Sequence, residues 1–313
     1  MAEPDLRVNL GGIELKTPIL AASGPYGSGL EYPKMVPCGA LGAIIVKGIS
    51  VDPWSGNPPP RLVETAAGLL NSIGLQNPGL KFFVDHDLPA LRKLGPKIIV
   101  NIIGRTVEEY AAVASELNGL PGVDGLEVNI SCPNLKAGGM AFGTNPTLTS
   151  EVIKAVRAKT VLPLLVKLTP NVTDITLIAR AAAEAGADVI SLINTLSGML
   201  IDIEKVEPVL GNTFGGLSGP AIMPVALKMV WQVSEVVNVP ILGMGGITSA
   251  EDALQFIMAG ARAVALGSGL FYDPALPDKV KEGIAGYLQQ RGIASPSSIE
   301  GSARKGDRDN EPC

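Results

Sequence analysis

Residues 164–194 read LLVKLTPNVTDITLIARAAAEAGADVISLIN, and this stretch decides the fold class. It opens on an unbroken apolar run, Leu164–Val166, the pattern of a strand buried on both faces. Thr173-Asp174 supplies a helix start, Ile175, Leu177, Ile178 and Ala182 an apolar face, and Gly186 a stop. Val189–Leu192 follows as a second run of the same kind. Strand, helix and strand in about thirty residues make a parallel crossover unit.

The same grammar recurs outward in both directions. Strands are expected at Ile19–Ala22, Ala43–Val46, Lys97–Ile102 and Gly125–Val128 on one side, and at Pro240–Leu242 and Ala263–Leu266 on the other. Helical runs fall at Thr106–Leu117 and at Ser249–Ala259, the latter closed by Gly260. Eight strands alternating with helices predict an α/β fold of the (β/α)8 TIM barrel type. An open doubly wound sheet is the other arrangement, but no G-x-G-x-x-G follows any strand. Arg7–Leu10, Gly11-Gly12 and Ile13–Lys16 read as an N-terminal β-hairpin suited to plug the barrel floor. A single domain is expected over residues 1–292. A disordered tail is expected over 293–313, where Arg304, Lys305 and Arg308 stand among glycines and acids.

The 313 residues are 46% hydrophobic, with 37 glycines and 25 prolines, which fits a large core with many tight turns. The net charge of −5 argues against nucleic acid as a partner. One histidine, His86, leaves no His–His metal site, so no metal is expected, and it argues against a Ser-His-Asp triad. Three cysteines, Cys38, Cys132 and Cys313, argue for a reducing compartment and are too few for an iron–sulfur cluster. The polar start, Met1-Ala2-Glu3-Pro4-Asp5, lacks the regions of a signal peptide, and no apolar run approaches the roughly 18 residues of a membrane span. A cytoplasmic protein without a membrane partner is the expectation.

The strand ends carry the chemistry. In chain order they run into Ser23-Gly24, Lys47-Gly48, Asn101, Asn129, Lys167, Asn194-Thr195, Gly245-Gly246 and Gly267-Ser268. A barrel gathers all eight ends on one face, where its active site lies. Turn chemistry accounts for serine, asparagine and glycine after strands, but not for lysines ending two apolar strands. The glycine pairs after strands seven and eight match the usual barrel phosphate site. Lys47 and Lys167 fit three roles: a Schiff-base nucleophile as in an aldolase, a charge that stabilises an anion, or a structural ion pair. The amides Asn71, Asn129, Asn134 and Asn194 suit a planar ligand bearing carbonyl and N–H groups. Glu127, two residues before Asn129, is expected to point the same way. Cys132 leads a glycine-rich stretch, Lys136 through Gly143, that reads as a lid; a thiol there can serve as a general base. Cys38 reads as a small buried hydrophobe.

At these residues the sequence resembles the dihydroorotate dehydrogenases that use a cysteine base, and among them the class 1, type 1B catalytic subunits. The matching runs are 56–61 with Glu64-Thr65, 70–79, 129–134, Lys136 with Gly138-Gly139, and 142–144. They continue through 166–170, Asn194-Thr195, 215–220 and 243–247, so the likeness covers roughly residues 8 to 290 in order. The resemblance implies oxidation of (S)-dihydroorotate to orotate in pyrimidine biosynthesis, with FMN as cofactor. It implies that Cys132 is the catalytic base at C5 while hydride leaves C6 for the flavin. Substrate would be held by Lys47, Asn71, Ser72, Ile73, Gly74, Leu75, Asn129, Asn134, Asn194 and Thr195. FMN would be held by Ser23, Lys47, Gly48, Asn101, Asn129, Lys167, Ile193, Gly219, Gly245, Gly246, Gly267 and Ser268. The likeness further implies a homodimer joined in a heterotetramer by an electron-transfer subunit, which carries FAD and a [2Fe–2S] cluster and reduces NAD. At Glu207-Pro208 and Met223, where such subunits often carry basic residues, this chain has none. A fumarate-linked type 1A enzyme and a dihydropyrimidine dehydrogenase relative are the neighbouring alternatives, and a Lys167 aldolase lies outside the class.

Overall fold

The computed structural model describes residues 3–31, 38–131 and 142–304. Eight parallel strands close into a barrel: β1 (Ile19–Ala21), β2 (Ala43–Ile49), β3 (Lys97–Ile102), β4 (Gly125–Asn129), β5 (Leu164–Lys167), β6 (Val189–Leu192), β7 (Ile241–Met244) and β8 (Ala263–Leu266). Each pairs with its neighbours in sequence, and β8 closes on β1 through Val264 opposite Ile19. The expected barrel is therefore present, with every strand where the apolar runs placed it. Four strands run further than expected: β2, β4 and β5 include Lys47, Asn129 and Lys167, and β7 continues to Met244.

Alternation sorts the strands into two cores. Leu20, Ala43, Ile45, Ile99, Leu165, Val189, Leu242 and Ala263 fill the barrel interior. Their neighbours Ile19, Ile44, Ile98, Leu126, Leu164, Ile190, Ile241 and Val264 pack outward against the helices. Burial on both faces explains why the strands read as continuous apolar runs. The helices obey their caps: Thr106, Asp174 and Ser249 each accept a backbone N–H of the first turn, and Gly260 ends its helix at φ 119°.

The N-terminal hairpin, Val8–Leu10 paired with Ile13–Leu15, closes the floor as expected. Its Val8, Leu10, Ile13 and Leu15 join the interior cluster. The approach is close: a Cβ on Gly125, at the start of β4, would lie 2.8 Å from the Ile13 side chain. Above the opposite end lies a four-stranded antiparallel sheet that the sequence did not announce. It joins Leu62–Thr65, Gly68–Asn71, Gly215–Ser218 and Leu196–Gly198.

Two expectations are corrected. Leu177 was assigned to the buried face of its helix but is 55% exposed; Ile175, Ile178, Ala179 and Ala182 form that face instead. The expected tail from 293 is ordered through Arg304, with residues 305–313 outside the described residues. Ile299 is buried, Glu300 pairs with Arg262, and Arg304 Nη1 donates to the Ser234 carbonyl at 2.7 Å. The charged side chains of this segment reach back to backbone and partners on the barrel, so composition misread it as solvated. Arg304→Ala should therefore destabilise the fold by about 1–3 kcal/mol, the worth of a charge-assisted hydrogen bond and its packing. A urea midpoint equal to that of wild type would contradict this anchoring.

Candidate active site

The ends of the barrel strands and the four-stranded sheet above them enclose a cavity of about 520 Å³, within the range of small-molecule sites. Ser23, Lys47, Gly48, Asn101, Asn129, Lys167, Ile193, Asn194, Thr195, Gly245, Gly246, Gly267 and Ser268 line it from the barrel. Asn71, Ser72, Ile73, Gly74 and Leu75 line it from the overlying sheet and the loop that follows. The structure thus brings together nearly every residue singled out in the sequence. Gly219 does not line the cavity; it stands behind Gly246, whose added Cβ would lie 2.7 Å from the Gly219 carbonyl oxygen. Cys132, Asn134 and the expected lid from Lys136 to 141 lie outside the described residues. The far end of that stretch is a 3-10 turn, Phe142–Thr144, where Phe142 meets Tyr110 edge-on at 6.0 Å.

The loop that carries Ser72–Leu75 is clamped from below. Asn77 bonds Ser50, the Leu75 carbonyl and the Gly79 N–H, while Arg61 donates to Asn57, Ser55 and Gln76. The proline- and glycine-rich run at 56–61 is thus a structural brace. Ser72 and Asn101 each keep a buried side-chain oxygen without a partner among the described residues.

Hydrogen bonds fix the sense of the amides. Asn194 Nδ2 donates to Ser131 Oγ at 2.6 Å, and Ser131 Oγ donates to Asn129 Oδ1 at 2.6 Å. Tyr110 holds the Asn129 carbonyl at 2.8 Å. With its oxygen engaged, Asn129 has its NH2 to offer as a donor at the cavity it lines. Asn171 donates to the Thr195 carbonyl at 3.1 Å and accepts from Ser197, fastening the loop after β6. Sequence reasoning passed over Ser131 and Asn171. Ser131 lies within the matching run 129–134 but was given no role, and the signal for Asn171 was proximity to the end of β5.

The charges converge. Glu127 points inward as expected and is fully buried. It accepts from Asn101 Nδ2 at 2.5 Å and Ser191 Oγ at 2.9 Å, with Lys167 Nζ 3.9 Å away. Burial pushes the Lys47 ammonium below its usual range, and the nearby Lys167 pushes it further, with Glu31 opposing. Among the described residues the cavity wall carries two lysines and no carboxylate, which suits an anionic ligand. Gly245 and Gly246 turn at φ 128° and 78°, a backbone that side chains rarely adopt. With Gly267 and Ser268 they present four N–H groups that donate to no other described residue. These are donors fit for a phosphate. Among the described residues no three His, Cys, Asp or Glu side chains group as around a metal ion. No described helix is long and apolar enough to cross a membrane.

A phosphorylated flavin fits this set. The unpartnered Asn101 oxygen suits a ring N–H, the lysines an anionic ring and phosphate, and the glycine turns a close backbone approach.

Comparison with known proteins identifies the family. A family model described as dihydroorotate dehydrogenase matches residues 5–288. The chain is 55% identical over 302 residues to a protein of Alkaliphilus metalliredigens named dihydroorotate dehydrogenase B (NAD(+)), catalytic subunit; the match covers 96% of this chain and 100% of that one. A protein of the same name from Geotalea uraniireducens is 51% identical, with 96% and 99% covered. A solved structure of DHODH from Eimeria tenella in complex with ferulenol superposes with a TM-score of 0.81 at 24% identity, over 97% of this chain and 89% of that one.

The buried Lys47 charge has a measurable consequence. Its folded value lies below the ordinary 10.5, so the unfolded chain binds the extra proton between the two. Ligand-free stability should rise with pH through that window, and the penalty is complete below the lowered value. Lys47→Met should flatten the slope in urea unfolding between pH 7 and 10.5; identical slopes in the two proteins would contradict it.

Proposed function

The chain belongs to the dihydroorotate dehydrogenase family of oxidoreductases, and from that premise we propose that it oxidises (S)-dihydroorotate to orotate with FMN, as the catalytic subunit of an NAD-linked enzyme. One observation carries the reading: Lys47 and Lys167 share a single cavity with the amides Asn71, Asn101, Asn129 and Asn194. Two cations and oriented amides suit an anionic flavin together with a pyrimidine carboxylate.

Bound FMN would supply the two-electron acceptor for hydride from substrate C6. The residues do the rest. Cys132 takes the proton from C5, so the C5–C6 bond becomes double as one proton and one hydride leave. Lys47 faces the substrate carboxylate. Asn71, Asn129, Asn134 and Asn194-Thr195 hold the pyrimidine, with Ser72–Leu75 closing over it. Ser23, Gly48, Asn101, Lys167 and Ile193 would hold the flavin ring, and Gly245, Gly246, Gly267 and Ser268 would hold its phosphate, backed by Gly219. Lys167 would supply a positive charge beside the ring, suited to an anionic form of it.

The name borne by the relatives, catalytic subunit, supports a partner. We assign to it the FAD and [2Fe–2S] cluster that pass electrons to NAD, in a heterotetramer built on a homodimer. The chain has neither a dinucleotide fingerprint nor four cysteines for that step. A Lys167 aldolase is disfavoured because Lys167 Nζ pairs with the buried Glu127 carboxylate at 3.9 Å, a pairing that the neutral amine of a Schiff-base nucleophile would lose. A dihydropyrimidine substrate is disfavoured because it offers Lys47 no charge.

Anaerobic dihydroorotate should bleach the flavin band of the purified protein. A band left unchanged would refute this substrate. Colour returning with fumarate would mean a self-sufficient enzyme; colour returning only with the partner and NAD is the expected result. Cys132→Ala should keep the flavin and lose about 10²–10⁴-fold in reduction rate, the worth of a general base. In wild type the rate should climb with pH through the thiol range near about 8.5. A variant within a few-fold of wild type would end the assignment of Cys132.

A further inference from the structure

Glu127 has no solvent exposure, does not line the cavity, and stands directly behind two residues that do, Asn101 and Lys167. Its three polar partners are all donors. Oε2 takes the Asn101 N–H at 2.5 Å and faces Lys167 Nζ at 3.9 Å, while Oε1 takes the Ser191 hydroxyl at 2.9 Å. A carboxylate can only accept here, so it dictates which end of the Asn101 amide turns inward. The amide oxygen is left facing Gly48, where an added Cβ would lie 3.0 Å from it. That oxygen is buried and has no partner among the described residues. Reversing the amide would set its oxygen against the carboxylate, which repulsion forbids.

We propose that Glu127 is a positioning residue that governs the bound flavin without touching it. It holds Asn101 with its acceptor toward the ligand, and it offsets part of the Lys167 charge. This rests on the FMN reading above. Two separable consequences follow. The fixed Asn101 oxygen recognises a ring N–H, so it contributes to flavin affinity. The buried negative charge opposes reduction of a ring that becomes anionic, so it holds the reduction potential down.

The test uses the purified flavoprotein and the variants Glu127→Gln and Glu127→Asp, with two readouts besides turnover. These are the FMN midpoint potential against reference dyes and the Kd of oxidised FMN. Gln keeps the shape and removes the charge. Its potential should rise by a factor of ten or more in the oxidised-to-reduced balance, about 30 mV for a two-electron couple. Asp keeps the charge but is one methylene shorter. Its potential should stay within a third of that shift from wild type, while its Kd weakens at least five-fold through the loosened Asn101. An unchanged potential in Glu127→Gln overturns the charge role. A shift as large in Glu127→Asp shows lost packing in its place, and also overturns it. An unchanged Kd in Glu127→Asp overturns the positioning role, and this arm decides the matter if the Gln variant does not fold. A wild-type chain that holds no FMN would instead bring down the cofactor reading itself.

Discussion

Eight parallel strands leave no unpaired edge only if they close on themselves, and that closure governs everything above it. It sends alternate residues of every strand inward and brings all eight carboxyl ends to one rim. The inward column is apolar at the bottom, where the hairpin seals it with Val8, Leu10, Ile13 and Leu15. It turns polar only near the top, where Asn101, Glu127, Lys167 and Ser191 meet. A polar layer at that depth survives because all but one of these groups find a partner; the Asn101 oxygen left over lies beside Gly48 at the cavity wall.

Much of this was legible in the sequence because the strands are buried on both faces. Continuous apolar runs such as Leu164–Val166 and Ala263–Leu266 have no other comfortable place, and a lysine ending such a run stands out. The overlying sheet was not legible. Its first hairpin turns through Ala66-Ala67, which carries none of the glycine or asparagine that marks a tight turn. Its other strands are short and glycine-rich, Gly215–Ser218 and Leu196–Gly198, and pair only through distant partners. The C-terminal segment misled for a related reason. Glu300 and Arg304 read as solvated charges, yet they find Arg262 and the Ser234 carbonyl across the chain.

The site divides along the same line. Residues at strand ends were found because topology alone gathers them. Ser131 and Asn171 were not, since their work is to orient Asn129, Asn194 and the loop at Thr195, and orientation is invisible without coordinates. Glu127 lies between the two cases: strand alternation gave its direction, but its partners came only from the folded barrel. A cavity ringed by preset donors and acceptors recognises a ligand before any chemistry begins.

The central claim is that this rim is built for an anionic, phosphorylated flavin. A native mass spectrum of the purified chain tests it most directly. The account predicts one FMN per chain, and weakened retention when Lys47 and Lys167 are both replaced by methionine. A chain that flies at its bare mass and takes up no added FMN at micromolar concentration would contradict it.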